Sequence, residues 1–274
     1  MANSDKPNIV VLVLDAVRAK SISAYGRSTR PTPHLDAFAA ENVLFKRAFS
    51  PATWTIPTHA SILTGLYLSQ HRIESTKADR YFNDEIVPLP TALQSHGYRT
   101  AAFSQNFLFS PKYQFGQFQE FHDMEEAWDS HPLLRSVRAM SNGSGALQNS
   151  VVTRYLRKFA GLRVFLDSML DWIKSPNENK PFFLMANIAN AHYPWAPPPA
   201  AVLREIGFRL KLLRNRELFQ PRPCQFNSGK RAVTKMHRHF WIALYHAALA
   251  HVDREVGRFL RRLRQWKGWS NTIV

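Results

Sequence analysis

The sequence predicts an α/β domain in which a mostly parallel sheet is flanked by helices. Three continuous apolar runs carry this prediction, because strands buried on both faces of a parallel sheet are apolar throughout. The runs are Asn8–Leu14, Arg99–Phe103 and Phe182–Ile188. Helical segments separate them along the chain, as in layered α/β folds. With 274 residues, 45% of them hydrophobic, the chain can bury such a core in one large domain.

The remaining elements are predicted from local patterns. Residues 116–180 are expected to form a mainly helical insertion, with a flexible break at Ser141–Gly145. The helix that starts at Leu89 should end before Gly97, because glycine readily adopts the left-handed conformation found at helix ends. Helices are predicted at His34–Asn42, Thr58–Leu66, Leu89–His96 and His239–Trp266, and short strands at Val43–Phe45 and Ser270–Val274.

The charge of the chain is unevenly distributed. Residues 1–130 carry 12 Lys/Arg and 13 Asp/Glu, whereas residues 131–274 carry 24 and 7, so the net charge of +16 lies in the second half. The basic amphipathic segment Leu203–Arg214 fits either a membrane-surface contact or a solvated helix surface. No base-recognition motif accompanies the basic residues, so we expect no nucleic-acid partner.

Cysteine content and the N-terminal segment bear on the cellular compartment. The single cysteine, Cys224, excludes a disulfide framework and a cysteine-rich zinc site. The segment Met1–Pro7 lacks the charged and apolar regions of a signal peptide. No apolar run reaches the roughly 18 residues that span a bilayer. We therefore expect a cytoplasmic protein.

The segment Ala52–Gly65 contains the first candidate for a catalytic group. Thr55 stands two residues before Pro57, and a proline fits the first turn of a helix, where a missing N–H costs nothing. The unpaired N–H groups of that turn favour an anion beside it. Thr55 is thus either a nucleophile at a helix start or an N-cap.

Asp15 and His192 are predicted to follow two of the buried strands, at the sheet edge where ligands bind in open α/β folds. Asp15 is interpreted either as a metal ligand shared with Thr55 or as the N-cap of a segment beginning near Val17. A shared metal would lower the pKa of the Thr55 hydroxyl and orient it for attack on phosphorus or sulfur. His192 could bind an anionic ester or protonate a leaving oxygen, or it could belong to a loop that prolines stiffen.

These motifs occur together in the order found in sulfatases, and the chain resembles that family of the alkaline-phosphatase superfamily. The resemblance rests on Pro7–Asp15, Tyr25–Gly26, Thr32–Asp36, Phe45–Phe49, Thr55–Gly65, Gly97–Ala101 and His192–Pro194. It implies that residues 1–274 form an incomplete N-terminal catalytic domain. It also implies a metal-dependent hydrolase of sulfate or phosphate esters, which acts on a small anionic substrate with a divalent ion (Ca, Mg, Mn or Zn).

The resemblance further implies roles for individual residues. Thr55 takes the position of the cysteine or serine that becomes formylglycine, and it is similar to the unmodified threonine nucleophile of related phosphoesterases and phosphoglycol transferases. His59 replaces the family's arginine, and His192 matches its substrate-contacting histidine. Asp15 is followed by Ala16 where many sulfatases have a second aspartate. The implied catalytic residues are Thr55, His59 and His192, and the implied metal ligands are Asp15 and Thr55.

Family members continue beyond the position of Val274 into a Ser/Thr-Asp-His-Gly motif that carries two further metal ligands. We therefore expect a C-terminally truncated form of the fold. An alternative expectation is a catalytically silent relative that acts as a binding or vestigial protein.

Overall fold

Five parallel strands form the sheet. The computed structural model describes residues 6–26, 32–74, 85–123, 151–175, 180–201 and 223–274. The strands are β1 (Asn8–Leu14), β2 (Arg99–Ser104), β3 (Glu120–Asp123), β4 (Phe182–Ile188) and β5 (Thr272–Ile273). Their order across the sheet is β3-β2-β4-β1-β5, and every pairing is parallel. The predicted parallel α/β fold is confirmed.

The central strand β4 sets the geometry of the sheet. All seven of its residues are buried, as its apolar sequence predicts. Asn187 of β4 is in register with Val13 of β1 on one side and with Ser104 of β2 on the other. The carboxyl ends of β1, β2 and β4 therefore lie side by side at one edge of the sheet, which we call the carboxyl edge.

Helices cover both faces of the sheet. They are α1 (Pro33–Ala40), α2 (Thr55–Thr64), α3 (Leu68–His71), α4 (Leu89–Ser95), α5 (Val151–Ile173), α6 (Pro223–Asn227) and α7 (Lys235–Arg264). One core holds Val10 of β1 with Phe165 of α5 and Phe259 of α7. The other holds β1 residue Val11 with Ile56 of α2. Since successive β1 residues point to opposite faces, the two cores lie on opposite sides of the sheet.

Helix α1 rests directly on helix α7. The buried Asp253 carboxylate accepts hydrogen bonds from the backbone N–H groups of His34 (3.3 Å) and Leu35 (2.8 Å), so it satisfies the first turn of α1. One turn further along α7, a Cβ atom at Gly257 would lie 2.4 Å from Cγ of His34. The missing side chain of Gly257 therefore permits this close approach.

Two arginines of the basic half form ion pairs where α5 packs against α7. One guanidinium nitrogen of Arg163 and one of Arg258 each lie 3.0 Å from a carboxylate oxygen of Glu255. A second nitrogen of Arg258 lies 2.8 Å from an Asp167 carboxylate oxygen. Burial tends to raise the pKa of Glu255, but the hydrogen bonds from the two guanidinium groups hold it below its ordinary value. No helix within the described ranges is long and apolar enough to cross a bilayer.

One predicted strand differs from the structure. The strand predicted at Val43–Phe45 is wrong, because this segment is irregular and Val43 is 80% exposed. Apolar side chains alone do not form a strand where no sheet edge is available for pairing. Residues 116–180 contain strand β3 as well as helix α5. The polar composition of β3 fits its edge position, and this composition hid it from a search for apolar runs.

The other elements differ from prediction mainly at their ends. Helix α2 begins at Thr55 rather than Thr58, with Pro57 in its first turn as predicted. Helix α7 begins at Lys235 because the Thr234 side chain accepts a hydrogen bond from the His237 N–H and caps it. The strand predicted near the end of the chain is confirmed as β5. The predicted break at Ser141–Gly145 and the basic segment Leu203–Arg214 lie outside the described residues.

Candidate active site

Two of the residues predicted to carry chemistry come together at the carboxyl edge. Asp15 directly follows β1, and its backbone N–H donates to the carbonyl oxygen of Ile188 at the end of β4 (2.9 Å). Thr55 is the first residue of α2, so its hydroxyl stands at the N-terminus of that helix. Both side chains are partly exposed and accessible to a substrate. A third side chain, from the loop after β2, connects them.

That third side chain is Asn106. Its Nδ2 atom donates to Asp15 Oδ2 at 2.9 Å and to Thr55 Oγ1 at 2.8 Å. The backbone N–H of Leu108 donates to Oδ1 at 3.0 Å, which fixes the orientation of the amide. Ser104 Oγ accepts from the Asn106 N–H and donates to its carbonyl, so the loop itself is also held. The Asp15 carboxylate and the Thr55 hydroxyl therefore both lie within hydrogen-bonding distance of Asn106 Nδ2, and we call this position the common point.

His59 lies beneath this point and is only 2% exposed. Its Nδ1 atom is 2.9 Å from the Thr55 carbonyl oxygen, which can only accept, so Nδ1 carries the proton. Nε2 then accepts from Asn187 Nδ2 (3.0 Å), and the same amide nitrogen lies 3.5 Å from Asp15 Oδ2. Burial lowers the pKa of His59, despite the opposing effects of the Thr55 carbonyl and Asp15. The ring is neutral. It bonds the Thr55 backbone directly and is linked to Asp15 through the Asn187 amide group.

His192 occupies the loop after β4, and its side chain is exposed. Its Nδ1 atom contacts the backbone carbonyl oxygen of Tyr193. Within the described part of the chain, no hydrogen bond joins this imidazole to Asp15 or Thr55. The structure thus brings Asp15, Thr55 and His59 together, and it places His192 on a neighbouring loop.

Lys158 of α5 holds that loop. Its Nζ atom donates to the carbonyl oxygens of His192 (2.6 Å) and Pro194 (3.0 Å). Burial lowers the pKa of Lys158 to about 8, while the negative charge of Asp15 acts in the opposite direction. The loop that Lys158 holds follows Ile188, whose carbonyl oxygen accepts from the Asp15 N–H, so Lys158 contacts the same carboxyl edge of the sheet.

The loop after β1 is held from helix α7. The Tyr245 hydroxyl donates to the carbonyl oxygen of Ala16 (3.2 Å) and accepts from the N–H of Arg18 (3.0 Å). Ala16 has a φ of 60°, in the left-handed region that non-glycine residues rarely adopt. The ring centroids of Trp195 and Tyr245 lie 6.4 Å apart in an edge-to-face arrangement. The loops after β1 and β4 therefore both pack against Tyr245.

The donor set at the common point suits a hard divalent cation. Asp15 offers a carboxylate oxygen and Thr55 a hydroxyl oxygen, both within hydrogen-bonding distance of Asn106 Nδ2, and such oxygens are the ligands that a hard cation takes. Across the described ranges, no group of three or more His, Cys, Asp and Glu is placed to hold a metal. Asp15 and Thr55 would therefore be part of a ligand set.

Sequence reasoning missed Asn106, Asn187 and Lys158. Asn106 follows strand β2 as Asp15 follows β1, so its position after a buried strand was a usable signal. Asn187 is a polar residue inside an otherwise apolar strand, which is also informative because buried amides need partners. Lys158 lies in a segment with other basic residues, and nothing in the local sequence distinguishes it from them.

Comparison with known proteins agrees with this architecture. The sulfatase family model matches residues 7–274. An arylsulfatase of Clostridium perfringens is 23% identical over 98% of the chain and 61% of its own length. Human N-acetylgalactosamine-6-sulfatase is 27% identical over 69% of the chain and 40% of its own length. The chain thus spans about half the length of these relatives.

Solved structures show the same fold. The phosphonate monoester hydrolase of Agrobacterium radiobacter superposes with a TM-score of 0.69 at 18% identity, over 97% of this chain and 61% of that one. A protein solved with its substrate D-glucosamine-2-N,6-O-disulfate gives a TM-score of 0.63 at 17% identity, over 98% of this chain and 64% of that one. At these identities the likeness concerns the fold.

Proposed function

The chain belongs to the sulfatase family, and on this premise we propose that it hydrolyses sulfate or phosphate esters with Thr55 as the nucleophile. One observation carries the proposal: a single amide nitrogen links Thr55 Oγ1 to the Asp15 carboxylate at the carboxyl edge. The alternative that Thr55 is an N-cap is wrong, because the N-cap of α2 is Trp54 and no side chain within the described ranges caps this helix. The alternative of a catalytically silent relative is not favoured by the family match.

In the proposed reaction, the Thr55 oxygen attacks the sulfur or phosphorus atom and the alcohol leaves. The Asn106 N–H group donates to the attacking oxygen, so it stabilises the alkoxide form of Thr55 over the hydroxyl form. The N–H groups of Thr55 and Ile56, at the N-terminus of α2, stabilise negative charge that develops next to Thr55. Water then cleaves the threonyl ester, which returns Thr55 to its hydroxyl form and releases sulfate or phosphate.

A divalent cation fits this proposal. Asp15 and Thr55 would hold it through one carboxylate and one hydroxyl oxygen, and it would supply Lewis-acid stabilisation of the nucleophile when bound. His59 would act as a positioning residue, since it contacts the Thr55 backbone rather than its hydroxyl. His192 would meet the substrate from the neighbouring loop.

The substrate class is a small ester with at least one anionic oxygen. Among the similar proteins, one is named an arylsulfatase and another a phosphonate monoester hydrolase. We therefore expect aryl sulfates, aryl phosphates and aryl phosphonates to be the informative substrates. A comparison of the three would decide between sulfur and phosphorus chemistry.

The test is Thr55→Ala, assayed on these three substrates with added Mn²⁺ or Ca²⁺. Loss of the nucleophile should lower kcat by roughly a thousandfold or more, whereas loss of an N-cap costs only about 1 kcal/mol of stability. Thr53→Ala, at an exposed position in the preceding loop, is the matched control and should keep full turnover. If wild type hydrolyses an ester and Thr55→Ala retains that activity, Thr55 is not the nucleophile.

A further inference from the structure

Lys158 makes contacts that are unusual for a lysine on an amphipathic helix. Instead of extending into solvent, its ammonium group bonds two backbone carbonyl groups of the loop after β4, at His192 and Pro194. An ammonium group has three N–H donors, and these two carbonyl groups accept from two of them. Among the described residues, no carboxylate lies within ion-pair distance of this nitrogen.

The main chain at Lys158 holds the same loop. The Asn190 side chain donates from Nδ2 to the carbonyl oxygen of Lys158. Asn190 is itself buried, and no residue in the described ranges donates a hydrogen bond to its Oδ1 atom. Residues 190–194 are therefore fixed to α5 at three points, and the exposed His192 side chain lies between them. A change at Lys158 would alter the loop that carries His192.

The position of the Lys158 charge is also relevant to an anion bound at Thr55. Its ammonium bonds the loop that begins just after Ile188, and the Ile188 carbonyl oxygen accepts from the N–H of Asp15. Asp15 in turn shares the Asn106 amide group with Thr55. A sulfate or phosphate ester bound at Thr55 would add negative charge beside the Asp15 carboxylate, and like charges at short range repel. A nearby cation offsets this repulsion.

We propose that Lys158 is a further functional residue of the site: its ammonium positions the His192 loop and supplies positive charge for an anionic ester held beside Asp15. This inference rests on the proposed function, because it assumes that the anion binds at Thr55. It extends that function by assigning anion recognition to helix α5. The side chain remains mostly protonated at pH 7, since burial lowers its pKa only to about 8.

Binding of inorganic phosphate to the whole 274-residue chain tests the inference without requiring turnover. By calorimetry, Lys158→Met should weaken phosphate binding about tenfold or more, as expected for loss of a charge-assisted hydrogen bond. Lys158→Arg should restore most of the affinity, because arginine keeps the charge. Lys174→Met removes an exposed charge just after α5 and should bind phosphate as wild type does.

A spectroscopic measurement separates recognition from a purely structural role. In a chain labelled with ¹³Cε-lysine, the Lys158 signal is assigned by its absence in Lys158→Arg. It should shift when phosphate is added, and it reports on Lys158 even if Lys158→Met fails to fold. An unshifted signal, or equal phosphate affinity in Lys158→Met and wild type, would overturn the inference. So would a wild-type chain that binds no phosphate, whereas the role of Thr55 is decided separately by ester turnover.

Discussion

At the scale of single residues, Asn106 links the candidate nucleophile to the candidate metal ligand. Its amide group reaches Thr55 and Asp15 with one nitrogen, while the Leu108 N–H keeps the amide in this orientation. Aspartate at this position would lose the donor and place a second negative charge beside Asp15. Alanine would lose the donor without adding a charge, so it is the cleaner substitution.

We expect Asn106→Ala to lower kcat by roughly a hundredfold, the magnitude usual for removing one preorganised donor from a reacting oxygen. KM should change little if the amide acts mainly on the attacking oxygen. Steady-state kinetics on the best aryl ester measures both parameters. Asn42→Ala removes an exposed amide that donates to the Phe38 carbonyl oxygen near the end of α1, and it should leave kcat unchanged. Equal kcat values for the two variants would show that Asn106 does not assist Thr55.

At the scale of elements, the contact between α1 and α7 depends on the absence of a side chain. Alanine at Gly257 would favour the helix by about 1 kcal/mol, because glycine is a poor helix former. The added Cβ, however, would meet Cβ and Cγ of His34 at 2.5 and 2.4 Å. These atoms are next to the α1 backbone, so α1 must move to relieve the overlap.

We therefore predict that Gly257→Ala destabilises the protein by about 1–3 kcal/mol, the usual cost of overpacking. Urea unfolding measures this free energy. In a His34→Gly background the obstructing atoms are gone, and the same substitution should be neutral or stabilising. A destabilisation that is unchanged by His34→Gly would place its origin elsewhere.

The helices and strands could be predicted from the sequence where the residues of a single segment indicate them. The apolar runs at β1, β2 and β4 were sufficient, because burial on both faces leaves a continuous pattern. β3 was missed because three of its four residues are polar, as fits a sheet edge. Asp15 and Thr55 could be named from their positions after a strand and before a helix. The contact through Asn106 could not, since it depends on side chains that lie far apart in the sequence.

At the scale of the whole molecule, the dependence of stability on pH should reflect the buried imidazole of His59. Burial lowers its pKa below the ordinary value of 6.5, so below that pH the unfolded chain binds a proton that the folded chain does not. The free energy of unfolding should therefore fall as pH decreases through this range. Above it, His59 is neutral in both states and contributes no slope.

We predict that His59→Gln reduces this loss of stability between pH 7 and pH 5. Glutamine can donate to the Thr55 carbonyl and accept from Asn187 without titrating. Urea unfolding at several pH values measures the slope. His96→Gln, at an exposed position after α4, is the control and should retain the wild-type slope. Identical slopes for wild type and His59→Gln would show that His59 is not the source.

The order of the strands has a consequence for how the chain folds during synthesis. Strand β1 lies between β4 and β5, so both of its hydrogen-bonding partners are made long after it leaves the ribosome. Closing such long loops makes folding slow, and an apolar strand without partners is prone to aggregate in the interval. Nascent chains that end before β4 should therefore depend on chaperones, and those that extend past it should acquire resistance to proteases.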